Sequence, residues 1–158
     1  MMKTCLAAFA AIVLSLPAAA AGFIPLDRAA AHALVDPAAH KQPTVIALWS
    51  ADCVHCKKNL RFLAGMARTS KQVRIITVAT EPESAELASL LDATGIPGKR
   101  YAYGSDSPEA VAFALDPAWR GELPRTLLLN GKGGRKAISG TLNETDLQVH
   151  LGLGSGRP

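Results

Sequence analysis

The chain has 158 residues, of which 49% are hydrophobic and 5% aromatic, and its formal net charge at pH 7 is +4. A chain of this length is expected to form one domain around a single hydrophobic core. The charge is modest and is not gathered into a basic run, and aromatic side chains are few, so the composition argues against nucleic-acid binding.

Residues 1–21 have the pattern of a secretory signal peptide. A basic start at Lys3 precedes a 12-residue apolar stretch, 5–16, and a run of alanines follows. These features are typical of a cleaved signal, and cleavage is expected after Ala20 or Ala21. The alternative is a membrane anchor that stays attached, but a spanning helix needs about 20 apolar residues. The sequence therefore predicts cleavage and a periplasmic or otherwise extracytoplasmic location.

Apolar periodicity and helix-boundary residues predict alternating helices and strands along the rest of the chain. The first three are a helix over 26–35 with Asp27 as its cap, a strand over 44–49 and an amphipathic helix after the second cysteine of a CxxC motif. A strand over 73–79 follows, then a helix opened by a capping box at 80–83 and ended by Gly95, a strand over 99–103 and a helix over 108–115. The last three are strands over 125–129 and 135–139 and a helix that is opened by a capping box at 141–144 and ends near 151. Strands joined by helices are expected to pair in parallel, and the glycine-rich turn makes the last two strands an antiparallel hairpin. The predicted fold class is α/β, with a central mixed β-sheet flanked by helices.

Removal of the signal would leave two cysteines, Cys53 and Cys56. Two cysteines at this spacing can be half of a zinc site, a haem attachment, a structural disulfide or a redox pair. Zinc needs about four ligands, and the mature chain adds only four scattered histidines. Haem attachment needs a histidine directly after the second cysteine, where this chain has Lys57. A structural disulfide across so short a loop restrains little of the unfolded chain, so the redox pair is favoured.

The predicted strand–turn–helix context also predicts different roles for the two thiols. Cys53 is expected at the start of a helix, where unpaired backbone N–H groups and the helix dipole favour a thiolate. Cys56, one turn further on, is expected to be buried and to resolve the mixed disulfide that Cys53 forms. His55 is a candidate for stabilising the thiolate, the alternative being an exposed loop histidine without a role. Asp52 is expected to disfavour the thiolate, because it places a second negative charge nearby. The alternative is that Asp52 is a solvated loop residue.

The segment 45–57 resembles the thioredoxin superfamily in its strand, its CxxC motif and a tryptophan, Trp49, four residues before the first cysteine. The segment 122–129 is similar to the one that carries that superfamily's cis-proline before an antiparallel strand. The resemblance implies a thioredoxin-like three-layer sandwich with Pro124 beside the dithiol, where it shapes the groove that receives the substrate backbone. The alternative for Pro124 is an ordinary trans proline in a turn.

Two further features are similar to the exported TlpA/ResA-like branch of the superfamily. They are the insertion before Pro124 and the Asn-Gly-Lys-Gly segment at 130–133. The expected organisation is a signal peptide at 1–21, a thioredoxin-like domain at 22–151 and a flexible C-terminal tail at 152–158.

The chain departs from the superfamily's pattern at several positions around the dithiol. Ala47 stands where thioredoxin keeps a buried acid, and Asn59 stands where many ResA-like proteins have a glutamate. Those acids assist proton transfer from the buried thiol, so the resemblance leaves His55 or water for that step. Asp52 replaces the aromatic residue often found before the first cysteine. The Val-His pair between the cysteines is closer to oxidising DsbA-like proteins than to reducing thioredoxin.

The sequence predicts an exported protein thiol–disulfide oxidoreductase that exchanges disulfides with protein substrates. It is expected to be a reductant, because the branch it resembles mostly reduces apocytochrome or metal-site cysteines. The alternatives are a disulfide oxidant or isomerase, a Cu(I)-handling protein using the same cysteines with His55 or His150, and a redox-inactive interaction module. No metal site is expected, and no cofactor beyond the redox-active Cys53–Cys56 disulfide. The expected partners are proteins with cysteines or disulfides and a membrane electron donor, and the protein is expected to be a monomer.

Overall fold

A computed structural model describes residues 22–153 of the chain. The predicted signal peptide and positions 154–158 of the predicted tail lie outside the described residues. The described part contains strands β1 (Ile24–Leu26), β2 (Thr44–Trp49), β3 (Arg74–Ala79), β4 (Lys99–Tyr103), β5 (Arg125–Leu129) and β6 (Arg135–Ser139), helices α1 (Arg28–Val35), α2 (Val54–Thr69), α3 (Ala85–Thr94), α4 (Pro108–Leu115) and α5 (Glu144–Leu151), and a short 3-10 helix at Pro37–Ala39. None of these helices is long and apolar enough to cross a membrane.

The strands form one sheet in the order β1-β4-β3-β2-β5-β6. The pairs β1–β4, β4–β3 and β3–β2 are parallel, and β5 runs antiparallel to both β2 and β6. All six residues of the central strand β2 are buried, because helices cover both faces of the sheet. This topology confirms the predicted α/β class, with a mixed sheet and an antiparallel hairpin at one edge.

Side chains alternate across β2 and divide the core into two layers, one on each face of the sheet. Ala47 and Trp49 belong to the layer that contains α2, α3 and α5, and Ile46 and Leu48 belong to the layer that contains α1 and α4. Each leucine fully buried in these layers contributes about 1.5–3 kcal/mol by removing apolar area from water. The result is the predicted three-layer sandwich, with the motif-bearing helix α2 on one face.

The N-terminal end of the domain differs from the sequence prediction. The helix expected over 26–35 begins at Arg28, and Ile24–Leu26 form an edge strand that pairs in parallel with β4. Asp27 caps the helix as predicted, and its carboxylate accepts the Ala30 N–H at 2.7 Å. A strand of three residues is too short to display the alternation by which strands are recognised, and its pairing with β4 is a long-range contact.

Two helix starts also lie later than predicted. α3 is capped by the Ser84 hydroxyl, so the prediction of a Thr80 cap is wrong. The N–H and hydroxyl groups of Thr80 both donate to a carbonyl of β2, which keeps this residue in the extended chain. α5 is capped by Asn143, which forms a capping box with Asp146 in place of the box predicted to start at Thr141.

Candidate redox site

The two cysteines of the motif lie at the edge of the sheet where β2 ends and α2 begins. Cys53 is the N-cap of α2 and forms a disulfide with Cys56, with 5.2 Å between their Cα atoms. The Cys56 backbone N–H donates to Cys53 Sγ at 3.1 Å. Cys56 is only 1% exposed, whereas Cys53 is half-buried, so a second protein would reach Cys53 first.

The helix start is suited to hold a negative charge on Cys53. Its sulfur stands in the N-cap position, where a side-chain acceptor normally satisfies one of the unpaired N–H groups of the first turn. The positive end of the helix dipole acts in the same direction, because it favours an anion over a neutral thiol. In the reduced protein this arrangement would stabilise a Cys53 thiolate more than a Cys56 thiolate.

A carboxylate from the neighbouring strand end supports the redox loop. Glu81 Oε1 accepts the Ala51 N–H at 2.7 Å, and the Glu81 carbonyl accepts the Tyr103 N–H at 3.1 Å. Parallel strands bring their carboxyl ends to the same edge of a sheet, so residues that follow β2, β3 and β4 meet there. Sequence reasoning placed Glu81 in the first turn of a helix and missed this contact, although the parallel pairing of β2 and β3 was the signal that could have found it.

Trp49 and Pro124 are both buried at the same edge of the sheet as the dithiol. Trp49 is 1% exposed and lies in the same core layer as Cys56, so it packs beneath the motif and does not line an open surface. Leu48 pairs with Arg125 between β2 and β5, which brings Pro124 opposite Trp49. The peptide bond before Pro124 is cis, as the resemblance implies.

Ion pairs stabilise the segment that precedes Pro124. The Arg125 guanidinium contacts Asp116 Oδ2 at 2.6 Å and Glu122 Oε1 at 3.2 Å. The Ser139 hydroxyl donates to the same Glu122 oxygen at 2.6 Å. The pKa of Glu122 lies below its usual value, chiefly because of the hydrogen bond from Ser139. Sequence reasoning missed this network, since its members are brought together by the β5–β6 hairpin and the preceding loop.

Neither residue that pairs with Ala47 on the neighbouring strands is acidic. Its register partners are Thr77 on β3 and Thr126 on β5, and all three are buried. The hydroxyls of both threonines lack a hydrogen-bond partner within residues 22–153. The position where thioredoxin keeps a buried acid is therefore flanked by two buried polar groups, on the face of the sheet that α2 covers.

Asn59 connects α2 to the loop between β6 and α5. It is 3% exposed, its Nδ2 donates to the Gly140 carbonyl at 3.0 Å, and its Oδ1 accepts the Leu142 N–H at 3.0 Å. Both ends of the amide are thus satisfied by backbone groups. A glutamate or aspartate could not donate to the Gly140 carbonyl, which is a structural reason for an amide at this position.

The other two predicted site residues, Asp52 and His55, are exposed beside the motif. Their side chains lie before and within the first turn of α2, so both can contact a molecule that approaches Cys53. Across the part of the chain that the structure describes, no group of three or more His, Cys, Asp or Glu side chains is arranged to hold a metal ion.

Solved structures of thiol–disulfide proteins share this fold. A secreted disulfide oxidoreductase of Mycobacterium tuberculosis, homologous to E. coli DsbE, gives a TM-score of 0.57 at 14% identity, over 76% of this chain and 84% of that chain. A thiol–disulfide isomerase of Corynebacterium glutamicum gives 0.59 at 16% identity, over 75% and 84%. StoA of Bacillus subtilis gives 0.51 at 23% identity, over 70% and 82%. The chain therefore has the thioredoxin fold, as its resemblance to that superfamily implies. A scan against protein-family models and a search of curated proteins gave no match.

Proposed function

We propose that this protein is an exported thiol–disulfide oxidoreductase that exchanges disulfides with protein substrates through Cys53 and Cys56, acting as a reductant. The observation that carries the proposal is the unequal burial of the two sulfurs at a helix N-terminus, with Cys53 accessible and Cys56 enclosed. A structural disulfide has no need of that asymmetry, whereas an exchange reaction needs one thiol to attack and another to resolve.

The proposed reaction begins with both thiols reduced. The Cys53 thiolate attacks one sulfur of a substrate disulfide, and the substrate S–S bond breaks to give a mixed disulfide and one substrate thiolate, which takes a proton. Cys56 then loses its proton and attacks Cys53 Sγ, which releases the second substrate thiolate. Two electrons and two protons pass to the substrate, and the pair ends as a disulfide. A membrane electron donor is proposed to reduce that disulfide again.

The residues around the pair are proposed to assist by position. The buried ring of Pro124 lies at the edge where a substrate chain would pass the dithiol, and Trp49 supports the motif from below. Asp52 and His55 are exposed, so their polar side chains can contact the approaching thiol or disulfide. The proton that leaves Cys56 is proposed to pass through water or His55, since Ala47 and Asn59 offer no carboxylate.

The direction of electron flow is tested by the reduction potential of the dithiol. The reductant proposal is supported by the resemblance to the exported branch, and it expects a value near −270 mV, roughly that of thioredoxin. The second candidate is a disulfide oxidant or isomerase, favoured by the absence of an acid at Ala47 and by the Val-His pair. Equilibration with glutathione buffers measures the potential, and a value near about −120 mV would overturn the reductant role.

The exchange reaction itself is tested by trapping. In Cys56→Ser the mixed disulfide cannot be resolved, so Cys53 should stay covalently bound to its substrate and give new bands on non-reducing gels. Cys53→Ser is the matched control, and it should trap nothing although it keeps one thiol. Equal trapping by the two variants, or insulin reduction unaffected by Cys53→Ser, would contradict the proposed roles.

Export is tested by the mass of the protein recovered from cells. Cleavage after Ala20 or Ala21 gives a mature chain that starts at Ala21 or Gly22. A variant that lacks 2–21 is the control and should remain in the cytoplasm. Recovery of the full-length mass from the membrane fraction would contradict cleavage and would favour a retained anchor.

A further inference from the structure

Helix α2 presents a stripe of exposed cations that starts close to the dithiol. Lys58, Arg61 and Arg68 are all exposed and, at 3.6 residues per turn, they share one face of the helix. These three residues are called the basic stripe. Each residue of a helix advances about 1.5 Å, so the stripe runs from about 7 Å to about 22 Å from Cys53 along the helix axis.

No salt bridge found within residues 22–153 involves the basic stripe. α2 contains no aspartate or glutamate, and the ion pairs found over residues 22–153 use other arginines. Glu144 lines the same groove as Arg61 but forms none of those salt bridges, and its carboxylate accepts a hydrogen bond from Gln148 at 3.1 Å.

The basic stripe belongs to a helix in which acidic residues do not balance the basic ones. The full sequence has 17 Lys and Arg against 13 Asp and Glu, and α2 carries four basic residues and no acidic one. Outside α2 the sequence has 13 basic and 13 acidic residues. The first turn of this positively charged helix holds the dithiol.

We infer that the basic stripe is the docking surface for an acidic segment of the protein that exchanges disulfides with Cys53. The inference rests on the proposed function, because it assumes that a protein substrate approaches Cys53. A substrate segment that runs from Cys53 along α2 would meet Val54, which is 74% exposed and offers an apolar contact between the sulfur and the stripe. Because the stripe is solvated, it acts mainly on the rate of encounter, which depends on salt.

A protein partner fits this surface better than a lipid surface does. Among the apolar residues of α2 only Val54 is exposed, and Phe62 and Met66 beside the stripe are half-buried, which is less apolar area than a helix lying in a membrane surface presents. A bilayer lying against the stripe would also cover the Cys53 end of the helix, which has to stay open for exchange.

Two synthetic peptides of equal length, each with one internal disulfide, test the inference. One has Asp and Glu around the cysteines and the other has Lys. The second-order rate constant for oxidation of the reduced protein is measured at low salt and at 1 M salt. The acidic peptide should react about tenfold faster at low salt, and the two rates should converge at high salt, because screening removes the steering.

Two triple variants locate the effect. Lys58→Glu, Arg61→Glu and Arg68→Glu together should reverse the peptide preference at low salt. The matched control reverses Lys99, Lys132 and Lys136, which are exposed around the opposite edge of the sheet. That control changes the net charge equally, and it should keep the preference for the acidic peptide. All residues involved are exposed, and the thermal unfolding midpoints of both variants should match that of the parent.

The outcomes separate this inference from the proposed function. Reduction of the neutral 2-hydroxyethyl disulfide should be the same in the parent and both variants. Failure of the parent protein to reduce 2-hydroxyethyl disulfide would overturn the oxidoreductase proposal itself. Normal reaction with that small disulfide but equal rates for the two peptides, or equal effects of the two triple variants, would overturn the docking surface alone. Stripe-dependent binding to phosphatidylglycerol vesicles, without any peptide preference, would assign the stripe to a membrane.

Discussion

Thr44 and Thr77 are both buried on neighbouring strands, but only one of their hydroxyls finds a hydrogen-bond partner. The Thr44 hydroxyl donates to the Gln42 carbonyl at 3.0 Å and lies 3.2 Å from His40 Nδ1. The Thr77 hydroxyl has no partner within residues 22–153, and Thr77 is the register neighbour of Ala47. A buried polar group costs free energy unless it is hydrogen-bonded, so the two threonines should respond differently to the same substitution.

Replacement of each threonine by valine, which has a similar shape, tests this difference. Thr77→Val should leave the free energy of unfolding unchanged or raise it by about 1 kcal/mol, because it removes a buried hydroxyl without a partner. Thr44→Val should lower it by about 1–3 kcal/mol, because the Gln42 carbonyl loses its donor. Urea unfolding measures both. A comparable loss in Thr77→Val would contradict the prediction and would mean that a buried water bonds this hydroxyl near the Ala47 position.

At the residue scale, the sequence predicted contacts between residues that lie close together in the chain. The spacing of Cys53 and Cys56 defines one helical turn, so their contact follows from helix geometry alone. The bond from Ala51 to Glu81 joins residues 30 positions apart and depends on the pairing of β2 with β3. No local pattern marks such a contact, because Glu81 reads equally well as part of a helix start.

At the scale of elements, Asn59 is the joint between α2 and the β6–α5 loop. Asn59→Asp should lower the free energy of unfolding by about 2 kcal/mol, because a carboxylate cannot donate to the Gly140 carbonyl and would be buried beside its oxygen. The matched control is Asn143→Asp at the N-cap of α5. Aspartate caps as well as asparagine and suits the helix dipole, so this change should cost less than about 0.5 kcal/mol.

Chemical denaturation at pH 7 compares the two variants with the parent. The reduction potential is a second readout for Asn59→Asp. A change in potential without a loss of stability would contradict the structural role and would mean that the new carboxylate acts on the Cys56 thiol, in the manner of the glutamate that many ResA-like proteins have there. A loss of stability with little change in potential would support the joint.

Elements differed in how well the sequence predicted them, for physical reasons. β2 and β3 are long, apolar and β-branched, and both were predicted within one residue of their observed ends. β1 has three residues and is stabilised by β4, so its pattern carries no signal of its own. The start of α3 was misplaced because Thr80 and Ser84 are both competent caps, and the hydrogen bonds of Thr80 to β2 decide between them.

At the scale of the whole molecule, different groups lie at the two ends of the strands of the sheet. The carboxyl ends of β2, β3 and β4 meet at one edge with the dithiol, and the turn between β5 and β6 lies at the other. The order of elements predicted the parallel pairing that brings these carboxyl ends together, but it did not predict the order of the strands in the sheet. The sequence could not predict which polar groups the folded core leaves without partners, since that depends on the packing of all layers together.

Tyr103, at the end of β4, should control how the stability of the whole domain depends on alkaline pH. It is 6% exposed, its hydroxyl has no partner among residues 22–153, and burial raises its pKa from 10.0 to about 12. Below pH 10 the tyrosine is protonated in both the folded and the unfolded chain, so this contribution is fully present. Between pH 10 and pH 12 the unfolded chain loses the proton first, and stability should fall by about 3 kcal/mol at most.

Urea unfolding from pH 8 to pH 12 tests this expectation in the parent, Tyr103→Phe and Tyr101→Phe. Tyr103→Phe should remove this part of the fall, and at pH 7 it should be at least as stable as the parent because it removes a buried hydroxyl without a partner. Tyr101 precedes it by two residues on the same strand and is half-buried, so Tyr101→Phe should keep the alkaline fall. An unchanged slope in Tyr103→Phe would mean that the lysines, not this tyrosine, govern alkaline unfolding.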